Sequence, residues 1–359
     1  YWRRDCLNSQ VPNMTKRTLS AKTVTLAHGS GGKAMRDLIE VVFVEEFKND
    51  LLAPLEDQAR IQLADLLDIG GQLAITTDSY VVDPIIFPGG NIGTLAVTGT
   101  VNDLAVGGAI PRYLTCGMII EEGFPIDTLR QIVHSMKETA DQAGVSIITG
   151  DTKVVHKGSA DKLFINTAGF GVIPPGVDIR ADKAVVEDVV IISGFVGDHG
   201  AAIVDARGEL ALENDILTDC KPLNGLVQEM LQVCPDIHCM RDATRGGIAT
   251  VLNEFAESSG VCIEIDESSI PVRDAVRGMC EILGLDPLYL ANEGVLVAVV
   301  PKQFAGSLLE TMRKHEAGAN SFVIGAVKEK PTGRVILKTQ FGGDRIVDML
   351  VGEQLPRIC

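Results

Sequence analysis

The apolar residues of the chain alternate between a pattern typical of helices and a pattern typical of buried strands. A helical spacing places Met35, Leu38, Ile39, Val42 and Phe43 on one face. Short apolar runs that end in polar residues predict strands instead. In the first half these patterns predict a helix in "AMRDLIEVVFVEEF", a strand in "QLAITTDSYVVDP", a helix in "NIGTLAVTGTVNDLAVGGAIP" that Pro111 ends, a strand in "RYLTCGMIIEE", a helix in "PIDTLRQIVHSMKETADQAG", and strands in "VSIITGDTKVV" and "LFINTAGFGVI".

A Pro-Pro-Gly break at residues 174–176 separates this half from a second unit with the same alternation. The second unit has strand patterns in "DVVIISGF", "VCIEID" and "GVLVAVV", and helical patterns in "RGGIATVLNEFAESSG" and "PKQFAGSLLETMRKH". Such alternation predicts an α/β fold in each unit. We predict an unstructured leader over residues 1–22, an N-terminal domain over 23–173, a C-terminal domain over 174–342 and a mobile tail over 343–359.

The composition limits the class of protein. The chain has 359 residues, of which 46% are hydrophobic and 22% charged, and these values suit packed globular domains. Its net charge of −16 argues against non-specific binding to nucleic acid or to an anionic membrane. No stretch reaches the roughly 18–20 apolar residues of a membrane helix. We expect a cytoplasmic protein that binds neither nucleic acid nor membrane.

Eight cysteines are scattered along the chain without a CxxC pair. Their apolar surroundings are typical of reduced thiols packed in cores, which favours a reducing compartment. A zinc site around Cys234 and Cys239 is an alternative, but the spacing does not match a zinc knuckle and no second ligand pair is obvious. Cys359 differs from the others because it ends the chain, in the sequence "LPRIC". A thiol at a terminus is prone to oxidation, so its position calls for a functional explanation.

The segment "HGSGGK" is a candidate phosphate-binding loop. Backbone N–H groups of glycine-rich loops can face an anion, and the N-terminus of the predicted helix that follows would favour one. The segment is not a Walker A motif, because Ala27 and Ala34 stand where that motif needs Gly and Ser or Thr. A simple turn explains the same residues. The candidate loop residues are His28, Gly29, Ser30, Gly31 and Gly32.

Aspartates recur where predicted elements end. They are Asp78 in "TTDS", Asp103 in "VNDL", Asp151 in "TGDT" and Asp242 in "RDAT", with Asp83 five residues beyond the first. Each one alone is commonly a helix cap or a turn residue. If several converge on one cleft, their mutual repulsion calls for a cation. Mg²⁺ bound to nucleotide phosphates is the usual partner of such carboxylates.

Two further charged residues accompany these aspartates. Lys153 follows Asp151 by two residues, so both side chains lie on one face if the strand continues. There Lys153 would neutralise phosphate or move a proton. Glu293, in "ANEG", lies between a helical pattern and a buried strand, where desolvation would raise its pKa and make it a candidate base. A surface ion pair is the alternative for either residue.

All these motifs occur together in one known family. They are "HGSGGK", "TTDSYVVDP", "FPGGNIG", "GTVNDLAVGGAIP", "TGDTKVV", "RDATRGG", "ANEG" and the final "PRIC". In this order the chain resembles the HypE family, the carbamoyl dehydratases of nickel–iron hydrogenase maturation, from about Val24 to Cys359. A wider ATP-binding superfamily shares looser forms of the central motifs; it includes aminoimidazole ribonucleotide synthetase, selenophosphate synthetase and thiamine-monophosphate kinase. The terminal "PRIC" separates the family from those relatives.

The resemblance implies a fold and a reaction. It implies a two-domain α/β (α+β) fold like that of aminoimidazole ribonucleotide synthetase, with N-terminal ATP-binding domains paired sheet to sheet in a homodimer. A partner, HypF, would place a carbamoyl group on the thiol of Cys359. With ATP and Mg²⁺ the chain would dehydrate this group to a thiocyanate. The mobile tail would then present the cyano group to iron held by a HypC–HypD complex.

The resemblance also implies roles for the candidate residues. Cys359 would carry the substrate, and Glu293 is preferred to Lys153 as the base near the carbamoyl nitrogen. The Mg²⁺ ligands would be Asp78, Asp103 and Asp151. The nucleotide would contact these three aspartates, Asn102, Asp242 and the loop residues His28, Gly29, Ser30, Gly31 and Gly32, with Asp83 as a further candidate.

Two other functions are compatible with parts of the sequence. The first is a kinase or synthetase of the same superfamily that acts on a free small molecule, and such an enzyme would not need Cys359. The second is a metal carrier that binds nickel or iron without catalysis. The absence of a His/Cys cluster, with only 6 histidines in the chain, argues against a carrier.

Overall fold

The computed structural model describes residues 19–30, 32–54, 58–62, 64, 66, 70–208, 216–350, 355 and 357–359. Residues 1–18 of the predicted leader, Gly31 of the predicted loop and most of the segment 351–356 lie outside these ranges. Within them the chain forms two α/β units, each built on one main sheet.

The N-terminal unit is built on a four-stranded mixed sheet. Its strands are β1 (Gln72–Tyr80), β4 (Ile110–Glu121), β5 (Ser146–Val155) and β6 (Leu163–Ile173), in the order β1-β6-β4-β5. Strands β4 and β5 run parallel, whereas β6 is antiparallel to both of its neighbours. A short hairpin of β2 (Ile86–Phe87) and β3 (Gly90–Asn91) follows β1.

Helices cover one face of this sheet and one of its edges. They are α1 (Lys33–Leu38), α2 (Glu45–Phe47), α3 (Ile92–Val106) and α4 (Ile126–Ala143). A π-helical segment, Ile39–Val44, joins α1 to α2, and together they lie beside β5 and α4. α4 is amphipathic and turns its apolar side to the core. It is followed by Gly144, which caps the helix in the left-handed conformation that favours glycine.

α3 is buried on nearly all sides. The N-terminal sheet lies on one side of it, and elements of the C-terminal unit lie on the other. Gly93 allows α4 to approach closely, because a Cβ there would lie 2.4 Å from the carbonyl oxygen of Ile132. The prediction that Pro111 ends this helix was wrong: the helix ends at Val106, before two glycines, and Pro111 lies within β4.

The C-terminal unit is built on a seven-stranded sheet. Its strands are β7 (Val189–Ile192), β8 (Cys239–Asp242), β9 (Cys262–Asp266), β10 (Leu296–Val300), β11 (Phe322–Lys328), β12 (Arg334–Lys338) and β13 (Asp344–Val347). They lie in the order β13-β12-β9-β11-β7-β10-β8, with β9 and β12 parallel and the other pairs antiparallel. Every residue of β10 is buried, which matches its uninterrupted apolar sequence.

Both faces of this sheet are covered by helices. They are α5 (Asp198–Ala206), α6 (Asn224–Val233), α7 (Gly247–Ser259), α8 (Asp274–Leu283) and α9 (Lys302–Lys314). α6 and α9 pack on one face and α7 on the other, while α5 and α8 form a smaller apolar cluster. Single 3-10 turns occur at Leu26–Gly29, Glu267–Ser269, Pro287–Tyr289 and Glu316–Gly318.

Both ends of the described chain are more ordered than the sequence pattern predicts. Leu19 and Ala21 pack on the N-terminal core, so this part of the predicted leader has structure. The predicted tail, residues 343–359, begins with β13, which pairs with β12. Its last two residues are buried against the N-terminal unit. Packing and strand pairing outweigh the irregular local sequence at these ends.

Candidate active site

The last residues of the chain lie in the junction between the two units. Cys359 keeps only 7% of its surface exposed. Its main-chain carboxyl group accepts a hydrogen bond from the N–H of Val81, just after β1, at 3.1 Å. Two residues earlier, the carbonyl of Arg357 accepts from the N–H of Asp83 at 3.2 Å. The chain end is therefore held along the segment that follows β1.

The side chain of Arg357 strengthens this attachment. Its Nε donates to the carbonyl of Val81 at 2.9 Å, and its Nη1 forms an ion pair with Asp161. Asp83 lies beside it and pairs with Lys162 at 2.9 Å, a hydrogen bond that lowers the pKa of Asp83. Asp83 is therefore one of the residues that hold the chain end in place.

The thiol of Cys359 faces a guanidinium group. Its Sγ lies 3.1 Å from Nε of Arg245, which donates to it, and Nη2 of Arg245 lies 3.9 Å from Asp78. Burial raises the pKa of the Cys359 thiol to about 11, the charge of Glu293 adds to this, and Arg245 opposes it. The thiol is therefore protonated at neutral pH while it is docked.

Arg245 was missed at the sequence level. It stands in "RDATRGG", where Asp242 attracted attention as a carboxylate. Its contact with Cys359 joins residues 114 positions apart, which no local pattern reveals. The only signal was an arginine in a glycine-rich turn before a helix.

A cluster of buried carboxyl groups lies beside the thiol. Burial raises the pKa of Glu293 well above its usual range, and neighbouring carboxylates, Asp242 foremost, raise it further. Burial, followed by the charge of Asp103, raises the pKa of Asp242 to about 7. Burial also raises the pKa of Asp103 to about 6, with Asp78 adding to the shift and a hydrogen bond from Thr76 at 3.1 Å opposing it. The pKa values of Asp103 and Asp242 thus lie close to neutral pH, which suits proton transfer.

Elements of both units bring these groups together. Asp78 lies near the end of β1 and Asp103 on α3, whereas Asp242 ends β8 and Glu293 lies in the turn before β10. Asp219 fixes that turn: its carboxylate accepts from the N–H groups of Glu293 at 3.0 Å and Gly294 at 3.1 Å. A Cβ at Gly294 would lie 1.9 Å from the carbonyl oxygen of Asp219, so the turn requires glycine.

The side chain of Asn102 joins the two units. Its Nδ2 donates to the carbonyl oxygens of Glu293 at 3.1 Å and Lys221 at 3.2 Å, and its Oδ1 accepts from the N–H of Leu223 at 2.8 Å. These bonds orient the turn that carries Glu293. The predicted contact of Asn102 with nucleotide stays a prediction, and its side chain already has these three partners.

Asp151 and Lys153 lie away from this cluster. They form an exposed ion pair at 2.8 Å on β5, and the hydrogen bond from Lys153 lowers the pKa of Asp151. Asp151 pairs in register with Gly117 and lies on the outward face of the sheet. Asp78 pairs with Thr167, whose side chain points to the helices. Asp78 and Asp151 therefore lie on opposite faces of the sheet. Of the three predicted Mg²⁺ ligands, only Asp78 and Asp103 come close together.

The predicted phosphate loop lies beside the end of β5. His28 is buried and its Nδ1 accepts from the N–H of Thr25 at 2.9 Å, so the ring caps its own turn. Gly29 touches the backbone of Val154, where a Cβ would come within 2.8 Å of the amide nitrogen. Ser30 donates to the carbonyl of Ala27 at 3.0 Å, and Gly32 directly precedes α1.

A cavity of about 590 Å³ lies next to this loop, between the helix of residues 33–47 and β5. Apolar side chains line most of it, and Asp151 and Thr152 form part of its wall; the apolar lining includes Met35, Ile39, Phe43, Phe47, Leu52, Cys116, Met118 and Ile147. Its size suits a small-molecule ligand.

The described residues contain no group of three or more His, Cys, Asp or Glu side chains arranged to hold a metal ion. Cys234 and Cys239, the residues of the zinc alternative, are both buried. The nearby His238 instead pairs with Asp188 at 2.7 Å. No helix in the described part of the chain has the length and hydropathy to span a bilayer.

Two family models match this chain. The model of the AIR synthase related protein, N-terminal domain, matches residues 56–173, and that of the C-terminal domain matches residues 185–338. The chain is therefore an AIR synthase-related protein. The structure of a thiamine monophosphate kinase from Aquifex aeolicus shares the fold, with a TM-score of 0.58 at 18% identity over 79% of this chain and 90% of that one.

Within this class the chain belongs to the HypE family. It is 53% identical to the carbamoyl dehydratase HypE of Rhodobacter capsulatus, over 95% of this chain and 99% of that protein. It is 50% identical to the Escherichia coli (strain K12) HypE, over 94% and 99%. A crystal structure of HypE in complex with ATP has a TM-score of 0.88 at 47% identity, covering 93% and 99%. A HypE–HypF complex has a TM-score of 0.76 at 47% identity, covering 87% and 99%. The predicted family and fold class are confirmed.

The carboxyl cluster predicts how stability depends on pH. Between the ordinary pKa of 3.8 and about 6 for Asp103 or about 7 for Asp242, the folded protein binds more protons than the unfolded chain. Stability therefore falls as the pH rises through this window. Asp242→Asn should raise the free energy of unfolding at about pH 8 by about 1–3 kcal/mol and flatten its pH dependence.

Urea unfolding across this pH range measures the effect. Asp151→Asn is the matched control, because Lys153 lowers the pKa of Asp151 and its loss should bring no gain. A lower stability of Asp242→Asn than of the wild type at about pH 8 would show that repulsion does not dominate the cluster.

Proposed function

We propose that this chain is an ATP-dependent carbamoyl dehydratase that acts on its own C-terminal residue. It converts an S-carbamoyl group on Cys359 into a thiocyanate, which supplies the cyanide ligands of hydrogenase iron. The observation that carries the proposal is the position of the terminal thiol. Cys359 is buried between the two units, beside Arg245 and Glu293. A diffusible substrate would need neither a cysteine at this position nor the contacts that hold it.

The reaction removes one water from the carbamoyl group. The group R–S–C(=O)–NH₂ becomes R–S–C≡N, so the C–O bond breaks and both N–H protons leave. Transfer of the γ-phosphoryl group of ATP to the carbamoyl oxygen makes phosphate the leaving group. Arg245, within reach of the sulfur, holds the carbamoyl group and offsets negative charge near its oxygen. Burial raises the pKa of Glu293, which makes its carboxylate a stronger base, and it takes one N–H proton as the carbamoyl oxygen is phosphorylated. The second N–H proton leaves with the phosphate when the C–O bond breaks.

We propose that ATP binds in the cavity between β5 and the helix of residues 33–47. Its apolar lining suits a base, and Asp151 in its wall, together with its ion-pair partner Lys153, would face the phosphates. Mg²⁺ fits the oxygen donors of Asp78 and Asp103, whose proximity costs repulsion that a divalent cation relieves. These aspartates would hold the cation together with phosphate oxygens, and the cation would neutralise charge during transfer.

A homodimer would bring the two halves of the site together. Within one chain, Asp78 on β1 and Asp151 on β5 are three strand spacings apart, roughly 14 Å at ~4.8 Å each. The outward face of the sheet exposes Leu73 by 57% and Ile75 by 62%, and Lys153 shares this face. We propose that two such faces pair, so that each site takes its thiol from one subunit and its nucleotide from the other.

The partners of the reaction follow from the same chemistry. A HypE structure in complex with HypF supports HypF as the enzyme that carbamoylates Cys359. We propose a HypC–HypD complex as the iron-bearing acceptor of the cyano group, and a cytoplasmic location, where thiols stay reduced. The reactions with HypF and with the HypC–HypD complex require Cys359 to leave the junction, once before and once after dehydration.

Intact-mass spectrometry of the carbamoylated protein tests the proposal. With Mg²⁺ and ATP we expect the loss of one water, and no loss without ATP. Glu293→Gln should slow this step by about 100-fold or more, because the base is removed while the shape is kept. Cys359→Ser should accept no carbamoyl group. Turnover of ATP on a free small molecule by Cys359→Ser would favour the kinase or synthetase alternative instead.

Mixed dimers test whether the site is completed by two subunits. One subunit carries Lys153→Ala and the other Cys359→Ser, and each parent homodimer should be inactive. If nucleotide and thiol come from different subunits, random mixing should restore about a quarter of the wild-type activity, because half of the dimers are mixed and one of their two sites is intact. No activity in the mixture, with dimer exchange verified by mass, would place both halves in one chain.

A further inference from the structure

The carbonyl group that precedes Cys359 is held by a buried histidine. This carbonyl belongs to Ile358, and Nε2 of His199 lies 2.8 Å from its oxygen. His199 is completely buried on the first turn of α5. Its ring packs edge-on against Phe87, with 5.6 Å between ring centres. The ring is thus fixed by packing as well as by hydrogen bonds.

The surrounding hydrogen bonds determine which ring nitrogen carries the proton. The Ile358 carbonyl can only accept, so Nε2 must donate. On the other side, Nδ1 lies 2.8 Å from Oγ1 of Thr218, and this oxygen accepts from the N–H of Cys220 at 3.2 Å. Burial lowers the pKa of His199, which agrees with a neutral ring. A neutral ring that donates through Nε2 accepts at Nδ1, so the Thr218 hydroxyl donates to Nδ1.

A second residue at the other end of α5 holds the preceding carbonyl. Nη2 of Arg207 donates to the carbonyl of Arg357 at 3.0 Å, and its Nε donates to that of Asp83 at 3.0 Å. Two successive carbonyls of the chain end are thus bound from one helix. Because peptide groups are rigid, fixing both carbonyls fixes the direction of the final residue.

We infer that His199 is a positioning residue for the terminal thiol: by donating to the Ile358 carbonyl, it sets the depth at which Cys359 enters the junction and so places Sγ against Arg245. This inference rests on the proposed function only in treating Cys359 as the reacting group. His199 touches no reacting atom. Its effect is to favour the docked chain end over the released one, in which the thiol is accessible to partners.

Thiol labelling of the full-length protein separates these two states. A maleimide modifies Cys359 only when it is released, and a C-terminal peptide identifies the label by mass. His199→Met keeps the bulk but removes the donor, so labelling of Cys359 should become about five- to tenfold faster, the effect of one lost hydrogen bond. His199→Gln keeps an N–H donor at similar reach and should label close to the wild-type rate.

The same variants should differ in the dehydration step. His199→Met, once carbamoylated by HypF, should lose water more slowly in single turnover by a similar factor, and His199→Gln should recover the rate. Carbamoylation itself should not slow, because it uses the released chain end. His238→Gln is the matched control: it removes a histidine bond to Asp188 at 2.7 Å, away from the chain end, and should leave labelling unchanged.

Thr218→Val provides a second test if His199→Met does not fold. It removes the donor that holds Nδ1, so the ring loses its fixed tautomer, and labelling should again become faster. Equal labelling rates in the wild type, His199→Met and Thr218→Val would overturn the inference, as would a rate in His199→Gln as fast as that in His199→Met. Faster labelling of His199→Met in a protein that never loses water would support the positioning role and refute the proposed function.

Discussion

The burial of the terminal thiol in the junction between the two units is the contact on which the site depends. Cys359 closes the junction by binding the segment after β1, and its sulfur meets Arg245 from the C-terminal unit. A chain terminus loses much conformational freedom on docking, and this cost must be offset by specific bonds. Arg357, with its contacts to Asp161 and the Val81 carbonyl, supplies part of that compensation. Because each bond is modest, the chain end can still be released.

The chemistry of the junction follows from the burial of several carboxyl groups close to one another. Asp103, Asp242 and Glu293 repel one another in a buried place, and each responds with a raised pKa. Such an arrangement costs stability, which a protein retains where function needs it. Asp219 holds the turn of Glu293 through backbone N–H groups, and its charge adds to the rise in the pKa of Glu293. The raised pKa values suit the cluster to the proton transfer that the proposed reaction needs.

Much of the fold could be predicted from the sequence because its signals are local. The buried strand β10 and the amphipathic helix α4 stand out from their apolar patterns alone. The grouping of the site residues could not be predicted in the same way. A bulge in the pairing of β4 with β5 leaves both Ile147 and Ile148 buried, and beyond it Asp151 faces outward. Simple alternation from Ile147 would have placed Asp151 on the side of Asp78.

An infrared spectrum of the dehydrated protein tests most directly whether the terminal thiol reacts where it is docked. With ¹³C in the carbamoyl carbon, the C≡N stretch of a thiocyanate on Cys359 can be assigned without ambiguity. A nitrile beside Arg245 should accept a hydrogen bond, so Arg245→Met should shift the band. We predict an ATP-dependent nitrile band that shifts in this variant. Absence of the band, or a band at the solvent-exposed frequency in both proteins, would contradict dehydration at the junction.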